Sequence, residues 1–415
     1  MLRDVLKTGG VQLFQLGSGL LALVLTARLL GPEGRGSLGA VLAWAGLFAA
    51  GGSLSLESVL LHRAARVHQP GWFAPLLAAV ARLWCLLALV TLLAALACWW
   101  LAGDALFGGL PPALLLGGWL LLPLLIWSRY QGALLLAFGR LDLRNQGLVA
   151  SGVVLLAGLA LAVWWLDLGI LGALTAQALA TLVLAAWGLP ALLRAARASA
   201  AAANPWGDAR ALALDGAKVH TTQVGHYLYG SVDVVTLNAV AGPAAVGWYQ
   251  LALRLVEVGT ALPQAVATVF RAGMTGRPPR EAWRRQRRPI LLTLLLTLLA
   301  AACGWLLAPW LIPLLAGDAF QPTVELFRLL LPVLLARALE TLLVPQVFAR
   351  GYFLAGSLIA LLMAGTSAAL FLWLIPAEGL EGAVTAALLT FALLPTLVYL
   401  GWAWWFERDL RRSAA

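Results

Sequence analysis

Charged residues are scarce in this 415-residue chain, and their scarcity indicates the class of protein. Asp, Glu, Lys and Arg make up 11% of the sequence and hydrophobic residues 62%, whereas ordinary soluble domains contain about 25% charged residues. Apolar runs long enough to cross the hydrocarbon core of a membrane as helices recur from end to end. The short alternating segments of a membrane β-barrel are not seen. We therefore predict an all-α polytopic membrane protein.

Several kinds of chemical site are also missing. Cys85, Cys98 and Cys303 lie in apolar segments without the spacing of metal ligands, so we interpret them as small buried hydrophobic residues. The sequence contains no Walker loop, no HExxH and no GxSxG after a strand. These absences argue against ATP-driven transport and against an enzyme, and they predict no metal and no cofactor. We also expect no cleaved signal peptide, because the first apolar stretch is too long.

What the chain does contain is a regular series of apolar segments. We predict twelve transmembrane helices, and Gly-Pro or Pro residues at several of the breaks support their separation. The predicted spans are residues 9–30, 37–60, 73–101, 111–138, 147–166, 169–193, 216–240, 245–270, 289–316, 322–349, 353–375 and 380–405.

The basic residues predict the orientation. Of 28 Lys and Arg, 21 fall at the amino terminus and in every second loop, whereas the opposite loops contain only Arg35. Cytoplasmic loops carry such an excess, so both termini should be cytoplasmic. The net charge of +10 is thereby explained without nucleic acid. The arginine-rich segment 271–288 is interpreted as a topology anchor at anionic headgroups, or alternatively as a specific partner site.

The two halves of the chain resemble each other. Gly31-Pro32 matches Gly242-Pro243 at a shift of 211 residues, and Gly169–Ala176 matches Gly379–Ala386 at a shift of 210. Each half contains six spans, so both have the same orientation, as in the parallel repeats of transporters. We predict two six-helix lobes, at residues 1–193 and 216–415, joined by a cytoplasmic linker at 194–215 and facing each other across a central cleft.

Charged side chains within the spans are the candidates for function. Each is costly in a bilayer and normally faces a cavity or a partner. Arg254 and Glu257 are three residues apart and share a helix face, as do Arg337 and Glu340, so either pair could simply neutralise itself. Guanidinium groups bind phosphate or carboxylate bidentately. We predict that a cleft for an anionic group is lined by arginines, namely Arg28, Arg82, Arg129, Arg254 and Arg337.

The acids in the spans are candidates for charge pairing or for ion coupling. Asp233 stands alone in its span and is predicted either to pair with an arginine across the cleft or to bind a coupling cation. Glu57, Glu257 and Glu340 are assigned to the same group. His220 and His226 are six residues apart, so they do not share a helix face as metal ligands would.

Two short sequence segments resemble those of a known family. Residues 27–36, ARLLGPEGRG, and residues 242–249, GPAAVGWY, with Asp233 before and Arg254 after the second segment, resemble signatures of bacterial polysaccharide-biosynthesis membrane proteins. These are the Wzx-type flippases of the multidrug/oligosaccharidyl-lipid/polysaccharide exporter (MOP) superfamily. The resemblance extends over essentially the whole chain.

The resemblance implies a flippase in the bacterial inner membrane. Its substrate would be an undecaprenyl-diphosphate-linked oligosaccharide, moved from the cytoplasmic to the outer leaflet by alternating access, for O-antigen or other lipopolysaccharide synthesis. Membrane lipids, a polysaccharide polymerase or glycosyltransferases would be partners, and H⁺ or Na⁺ exchange could drive the cycle. One alternative is a cation-coupled drug exporter of the same superfamily, which should have an acidic lumen. A membrane glycosyltransferase or ligase is the other, although the outer loops are short for it.

Overall fold

In a computed structural model, which describes residues 2–64, 72–198, 208–274 and 278–412, the chain folds into helices, and no strand occurs within these ranges. The α-helices are α1 (Leu2–Gly52), α2 (Leu56–Ala64), α3 (Phe73–Phe107), α4 (Pro112–Trp119), α5 (Leu122–Ala137), α6 (Leu141–Leu159), α7 (Gly169–Trp187), α8 (Leu189–Ala198), α9 (Ala209–Tyr229), α10 (Val232–Gly259), α11 (Ala261–Met274), α12 (Pro279–Ala316), α13 (Pro322–Ala349), α14 (Phe353–Glu378), α15 (Leu380–Ala387) and α16 (Leu394–Arg412). Short π-helical segments extend α6 and join α15 to α16.

Eight of the described helices are long and apolar enough to cross a membrane. The first of these, Gly9–Gly52, contains 44 residues and would measure about 66 Å if straight, more than twice the thickness of a hydrocarbon core. It is bent at Gly31, whose φ of 68° leaves the helical region, and Pro32 begins the second arm. Each of the twelve predicted spans is mostly helical in the structure, with short breaks inside some of them. Together with the eight long apolar helices, this confirms a polytopic helical membrane protein.

The same bend recurs in α10. Gly242 has φ 80°, and Pro243 follows it. Pro suits the first position of a helix, because a backbone N–H at that position has no intrahelical partner and Pro has none to leave unpaired. The residue before it has a positive φ, which Gly adopts without strain. The two Gly-Pro hairpins predicted from the sequence are therefore both formed, each by two arms of one bent helix.

Three of the four hydrophobic clusters lie mainly within one half of the sequence. One is drawn from Leu38–Leu212 and includes Val235, and two lie within Val232–Ala392 and Ala267–Leu410. The fourth joins the halves, because Leu23 and Ala27 of α1 pack there with residues of α10, α12 and α13. The predicted lobe boundaries at 193 and 216 remain a prediction, and residues 199–207 of the linker lie outside the described residues.

The two Gly-Pro hairpins pack against each other reciprocally. A Cβ atom added to Gly36 would lie 1.6 Å from the carbonyl oxygen of Pro243, and one added to Gly247 would lie 2.2 Å from that of Pro32. Gly36 and Gly247 are equivalent in the repeat, and so are Pro32 and Pro243. The backbones therefore meet directly in a closed contact, the Gly-Pro seam, defined by these four residues.

At the opposite end of the molecule α2 packs on α9. We call this the basic end, because it carries Arg63, Lys218 and Arg280. Arg63 forms a salt bridge with Asp215 of α9, with a distance of 2.5 Å between Nη2 and Oδ2. Nearby, Ser55 Oγ lies 2.9 Å from Nδ1 of His220. These two contacts join the two halves of the chain at the basic end.

Candidate functional site

A cavity of about 1300 Å³ lies between the two halves of the chain, which is larger than the roughly 300–1,000 Å³ typical of small-molecule pockets. The amino-terminal half contributes α1, α6 and α7, and the carboxyl-terminal half contributes α10 and α11. The lining extends from Arg35, which directly precedes Gly36 of the Gly-Pro seam, to Gly9, Leu141 and Val269 towards the basic end. The cavity is thus closed at one end of the molecule and extends towards the other.

Most of the lining is aliphatic or glycine, with a small polar set. None of the described lining residues is aromatic. Uncharged polar side chains alternate with Leu, Ala and Gly along α1, α7 and α11. The polar lining residues are Gln12, Gln15, Thr26, Arg35, Gln177, Arg254, Glu257, Gln264 and Thr268. The cavity therefore combines two cations and one acid with amide and hydroxyl groups.

Arg35 lines the cavity, although it was not among the candidate residues predicted from the sequence. The prediction placed it in an outer loop, whereas the structure has it inside the second arm of α1, because Pro32 starts that arm directly after Gly31. Its side chain is largely buried and its Nε atom, fully enclosed, has no hydrogen-bond partner. The signal was present in the sequence: a Pro at the first helical position predicts a helix from residue 32 rather than 37.

Arg254 lies close enough to Arg35 for their positive charges to repel each other. It comes from α10, so the two guanidinium groups are supplied by different halves of the chain. Two like charges held together in a membrane-embedded cavity are unfavourable unless an anion lies between them. This arrangement is suited to a phosphate or carboxylate ligand, which guanidinium groups bind through paired hydrogen bonds.

Glu257 follows Arg254 by one helical turn and lines the same cavity. Arg254 Nη1 donates to Glu257 Oε2 over 2.6 Å, and the two side chains are 65% and 39% exposed. The spacing of the two residues predicted a shared helix face and left open whether the pair neutralises itself or contributes to the cleft. The structure forms the pair and places both residues in the cavity lining, and their role in binding stays a prediction.

The other predicted arginines are not among the residues that line this cavity. Arg28 donates to the carbonyl oxygen of Leu314 over 2.6 Å. Arg82 is exposed on α3 and bonds the carbonyl oxygen of Ala78 on its own helix. Hydropathy places a residue at a depth in the membrane but does not fix the direction of its side chain on a helix that is apolar all round.

Arg129 and Arg337 are partly buried within their own halves of the chain. Arg129 on α5 contributes to the electrostatic environment of Tyr130. Arg337 on α13 stacks its guanidinium carbon 5.2 Å from the ring centre of Phe391. Neither side chain reaches the cavity, so any role in substrate binding remains a prediction.

Asp233 belongs to a separate polar cluster inside the carboxyl-terminal half. It is 3% exposed; one carboxylate oxygen accepts the Val234 N–H at 2.8 Å, and the other accepts the Tyr249 hydroxyl at 3.0 Å. Arg337 acts on Asp233 electrostatically, and Glu340, one turn after Arg337, bonds Tyr399. The described contacts of Asp233 thus lie within one half, and charge pairing across the cleft or cation binding by Asp233 stays a prediction.

Glu57 lies just after the break between α1 and α2. Leu54 and Ser55 have positive φ there, both 49°, and the Tyr130 hydroxyl donates to the carbonyl oxygen of Ser53 over 2.6 Å. Glu57 Oε2 is enclosed and has no hydrogen-bond partner. His220 contacts Ser55 as described above, and the side chain of His226 lies outside the described residues. Across the described part of the chain, no three His, Cys, Asp or Glu residues come together as metal ligands.

Comparison with known proteins gives the family. Residues 1–271 match the family model described as "Polysaccharide biosynthesis protein". This is more than half of the chain, so the chain belongs to the polysaccharide biosynthesis protein family. No curated protein sequence matches it.

Solved structures give the fold. The chain is similar to the lipid II flippase MurJ in an inward closed conformation, with TM-score 0.77 and 13% identity over 96% of this chain and 87% of that one. It is also similar to an inward-facing multidrug resistance MATE family transporter of the MOP superfamily, with TM-score 0.70 and 17% identity over 97% and 96%. A MOP superfamily transporter from Pyrococcus furiosus has TM-score 0.62 and 14% identity over 98% and 95%. The fold is that of the MOP superfamily.

Proposed function

We propose that this protein is a flippase for a polyprenyl-diphosphate-linked oligosaccharide in the bacterial cytoplasmic membrane. The observation that carries the proposal is the cavity between the halves, which Arg35 and Arg254 both line from different halves of the chain. Membership of the polysaccharide biosynthesis protein family supports a glycan precursor as the cargo. Undecaprenyl diphosphate would be the lipid carrier, as the sequence resemblance implies.

The lining suits the two parts of such a headgroup. The diphosphate brings negative charge, which the two guanidinium groups would stabilise through charge-assisted hydrogen bonds. The sugars bring hydroxyl groups, for which Gln12, Gln177 and Gln264 offer both donors and acceptors. A large headgroup needs a large cavity, whereas the lipid tail would stay in the bilayer.

Alternating access would use the two ends of the cavity in turn. The excess of basic residues assigns the basic end and both termini to the cytoplasm, so this conformation would load from the cytoplasmic leaflet. Opening the Gly-Pro seam would then release the headgroup outside. A membrane potential, negative inside, favours outward movement of negative charge by about 2.3 kcal/mol per charge per 100 mV. Coupling to H⁺ or Na⁺ through Asp233 or Glu57 is a further part of the proposal.

A cation-coupled exporter of small molecules is the second candidate, and the buried carboxylate of Asp233 favours it. An exporter of organic cations needs acids where the cargo binds. Asp233 bonds Tyr249 within one half. The described residues that line the cavity include two arginines and one acid, Glu257, which is paired with Arg254. The cavity electrostatics therefore favour an anionic cargo.

The proposal is tested by reconstituting the protein in proteoliposomes with a polyprenyl-diphosphate-linked oligosaccharide and measuring its transfer between leaflets. Arg35→Ala should reduce the transfer rate by about 10- to 100-fold, since a hydrogen bond to a charged group contributes roughly 1.5–3 kcal/mol. Arg82→Ala removes an exposed arginine outside the cavity and should leave transfer unchanged. Full transfer by the Arg35 variant would contradict the proposal.

A further inference from the structure

We propose that Glu257 is an internal competitor for the anion site: its carboxylate occupies Arg254 in the empty cavity and exchanges with the phosphate groups of the cargo. This inference rests on the proposed function, because it assumes that Arg35 and Arg254 bind an anion. It assigns to Glu257 control over the tightness and the release of the cargo.

The two arginines are unequally occupied in the absence of a ligand. Arg254 bonds Glu257 over 2.6 Å, whereas no described residue forms an ion pair or a hydrogen bond with Arg35. One half of the anion site is therefore filled by the protein itself and the other half is open. An entering phosphate would bind the free guanidinium of Arg35 without competition. At Arg254 it would have to compete with the carboxylate of Glu257.

A structural role does not explain the pair. Both side chains are substantially exposed to the cavity, and ion pairs of that exposure contribute little to folding stability. The equivalent positions in the amino-terminal repeat are Ala43 and Gly46, so the helical arm forms without a pair there. Glu257 instead places a negative charge beside the group that would bind the cargo.

Competition of this kind is useful to a transporter. A site built from two unopposed guanidinium groups would bind a diphosphate tightly in both conformations and slow its release. Binding the cargo and the transition state equally well lowers KM without accelerating turnover. When Glu257 returns to Arg254 it replaces a phosphate oxygen by a carboxylate oxygen, so Arg254 is not left without a partner during release.

The experiment measures binding of inorganic pyrophosphate to the whole protein in nanodiscs at low ionic strength by titration calorimetry. Glu257→Gln keeps the shape of the side chain and removes its charge, and should tighten binding by about two- to fivefold, the range expected for an exposed ion pair. Glu257→Ala should act in the same direction. Arg254→Ala should weaken binding, so the two partners of one salt bridge would have opposite effects.

Glu281→Gln is the matched control. Arg285 and Glu281 form an ion pair of similar geometry, with a distance of 2.8 Å and side-chain exposures of 61% and 44%, outside the cavity. This variant makes the same change of net charge and should leave the affinity for pyrophosphate unchanged. In the transfer assay, Glu257→Gln should lower both the KM for the lipid-linked glycan and kcat, which loss of a purely structural residue would not do.

The outcomes separate this inference from the proposed function. Pyrophosphate binding by the wild type with equal or weaker binding by both Glu257 variants overturns the competitor role alone. Equal tightening by Glu281→Gln also overturns it, because the effect would then come from net charge. Absence of pyrophosphate binding to wild type and to both Glu257 variants overturns the anion site and the competitor together.

Discussion

The hydroxyl group of Tyr249 donates a hydrogen bond of 3.0 Å to the carboxylate of Asp233, and this bond joins the two arms of the hairpin bent at Gly242. Both residues are buried, at 0% and 3% exposure. The bond therefore satisfies a buried acid within the carboxyl-terminal half and fixes the angle between the arms.

We expect Tyr249→Phe to destabilise the protein by about 1–3 kcal/mol, because one oxygen of the buried Asp233 carboxylate would lose its hydrogen bond. Thermal unfolding of the purified protein in detergent measures the change. Tyr352→Phe is the control, since Tyr352 is 36% exposed and forms no hydrogen bond through its hydroxyl among the described contacts. An unchanged unfolding temperature for Tyr249→Phe would show that the bond does not contribute to stability.

The Gly-Pro seam predicts a shift between conformations. Alanine at Gly36 cannot fit the closed seam, where its Cβ would overlap the Pro243 carbonyl oxygen at 1.6 Å. Gly36→Ala should therefore favour the conformation in which this end is open. Labelling of a cysteine introduced at Ser37, which is 6% exposed, with a membrane-impermeant thiol reagent should increase in a background lacking the three natural cysteines.

Gly46→Ala is the matched control on the same helical arm, because nothing lies within 4 Å of the Cβ it would add. It should leave labelling at position 37 unchanged. If Gly36→Ala left labelling at position 37 as low as in Gly46→Ala and in the protein with both glycines unchanged, the Gly-Pro seam would not control access at this end.

The contact at the basic end predicts a specific pH dependence. Arg63, and to a lesser extent Lys218, hold the pKa of the Asp215 carboxyl below its usual value. A depressed pKa contributes stability above the unfolded pKa of about 3.9, and that stability is lost as the pH falls through the folded pKa. The salt bridge should therefore be constant from pH 8 to pH 5.

Hydrogen exchange of α2 and α9 measures this contact. Asp215→Asn should speed exchange in both helices at neutral pH by a factor consistent with at most about 1 kcal/mol, since the Asp215 side chain is exposed. The difference from wild type should begin to decline only as the pH falls below about 4. Asp142→Asn breaks the local pair with Arg140 and should not affect α2 or α9. A difference that changed between pH 8 and pH 5 would contradict the assignment to Asp215.

Much of the fold could be predicted from the sequence, because hydropathy and Gly-Pro turns are local signals. Gly31-Pro32 and Gly242-Pro243 predicted both hairpins, and the structure has both bends. The direction of side chains was harder to predict. The direction of Arg254 could be predicted, because Glu257 three residues later gives that helix a polar face. No polar neighbour indicates the direction of Arg82 on the apolar α3, and its side chain is exposed outside the cavity.

Arg35 could not be recognised as a cavity residue from charge counting alone. It was counted in an outer loop, although the helix resumes at Pro32. Its neighbour in space, Arg254, is more than 200 residues away in the sequence, and the repeat does not relate them, because Val246 is the equivalent of Arg35. Only the packing of one half against the other brings the two guanidinium groups together.

A double-mutant cycle on Arg35 and Arg254 in the leaflet-transfer assay tests the central claim most directly. If both arginines bind one diphosphate, each alanine variant should lose about 10- to 100-fold in transfer rate, and the double variant should lose much less than the product of the two, because coupled residues are not additive. Wild-type transfer by both single variants, or fully multiplicative losses, would contradict a shared anion site.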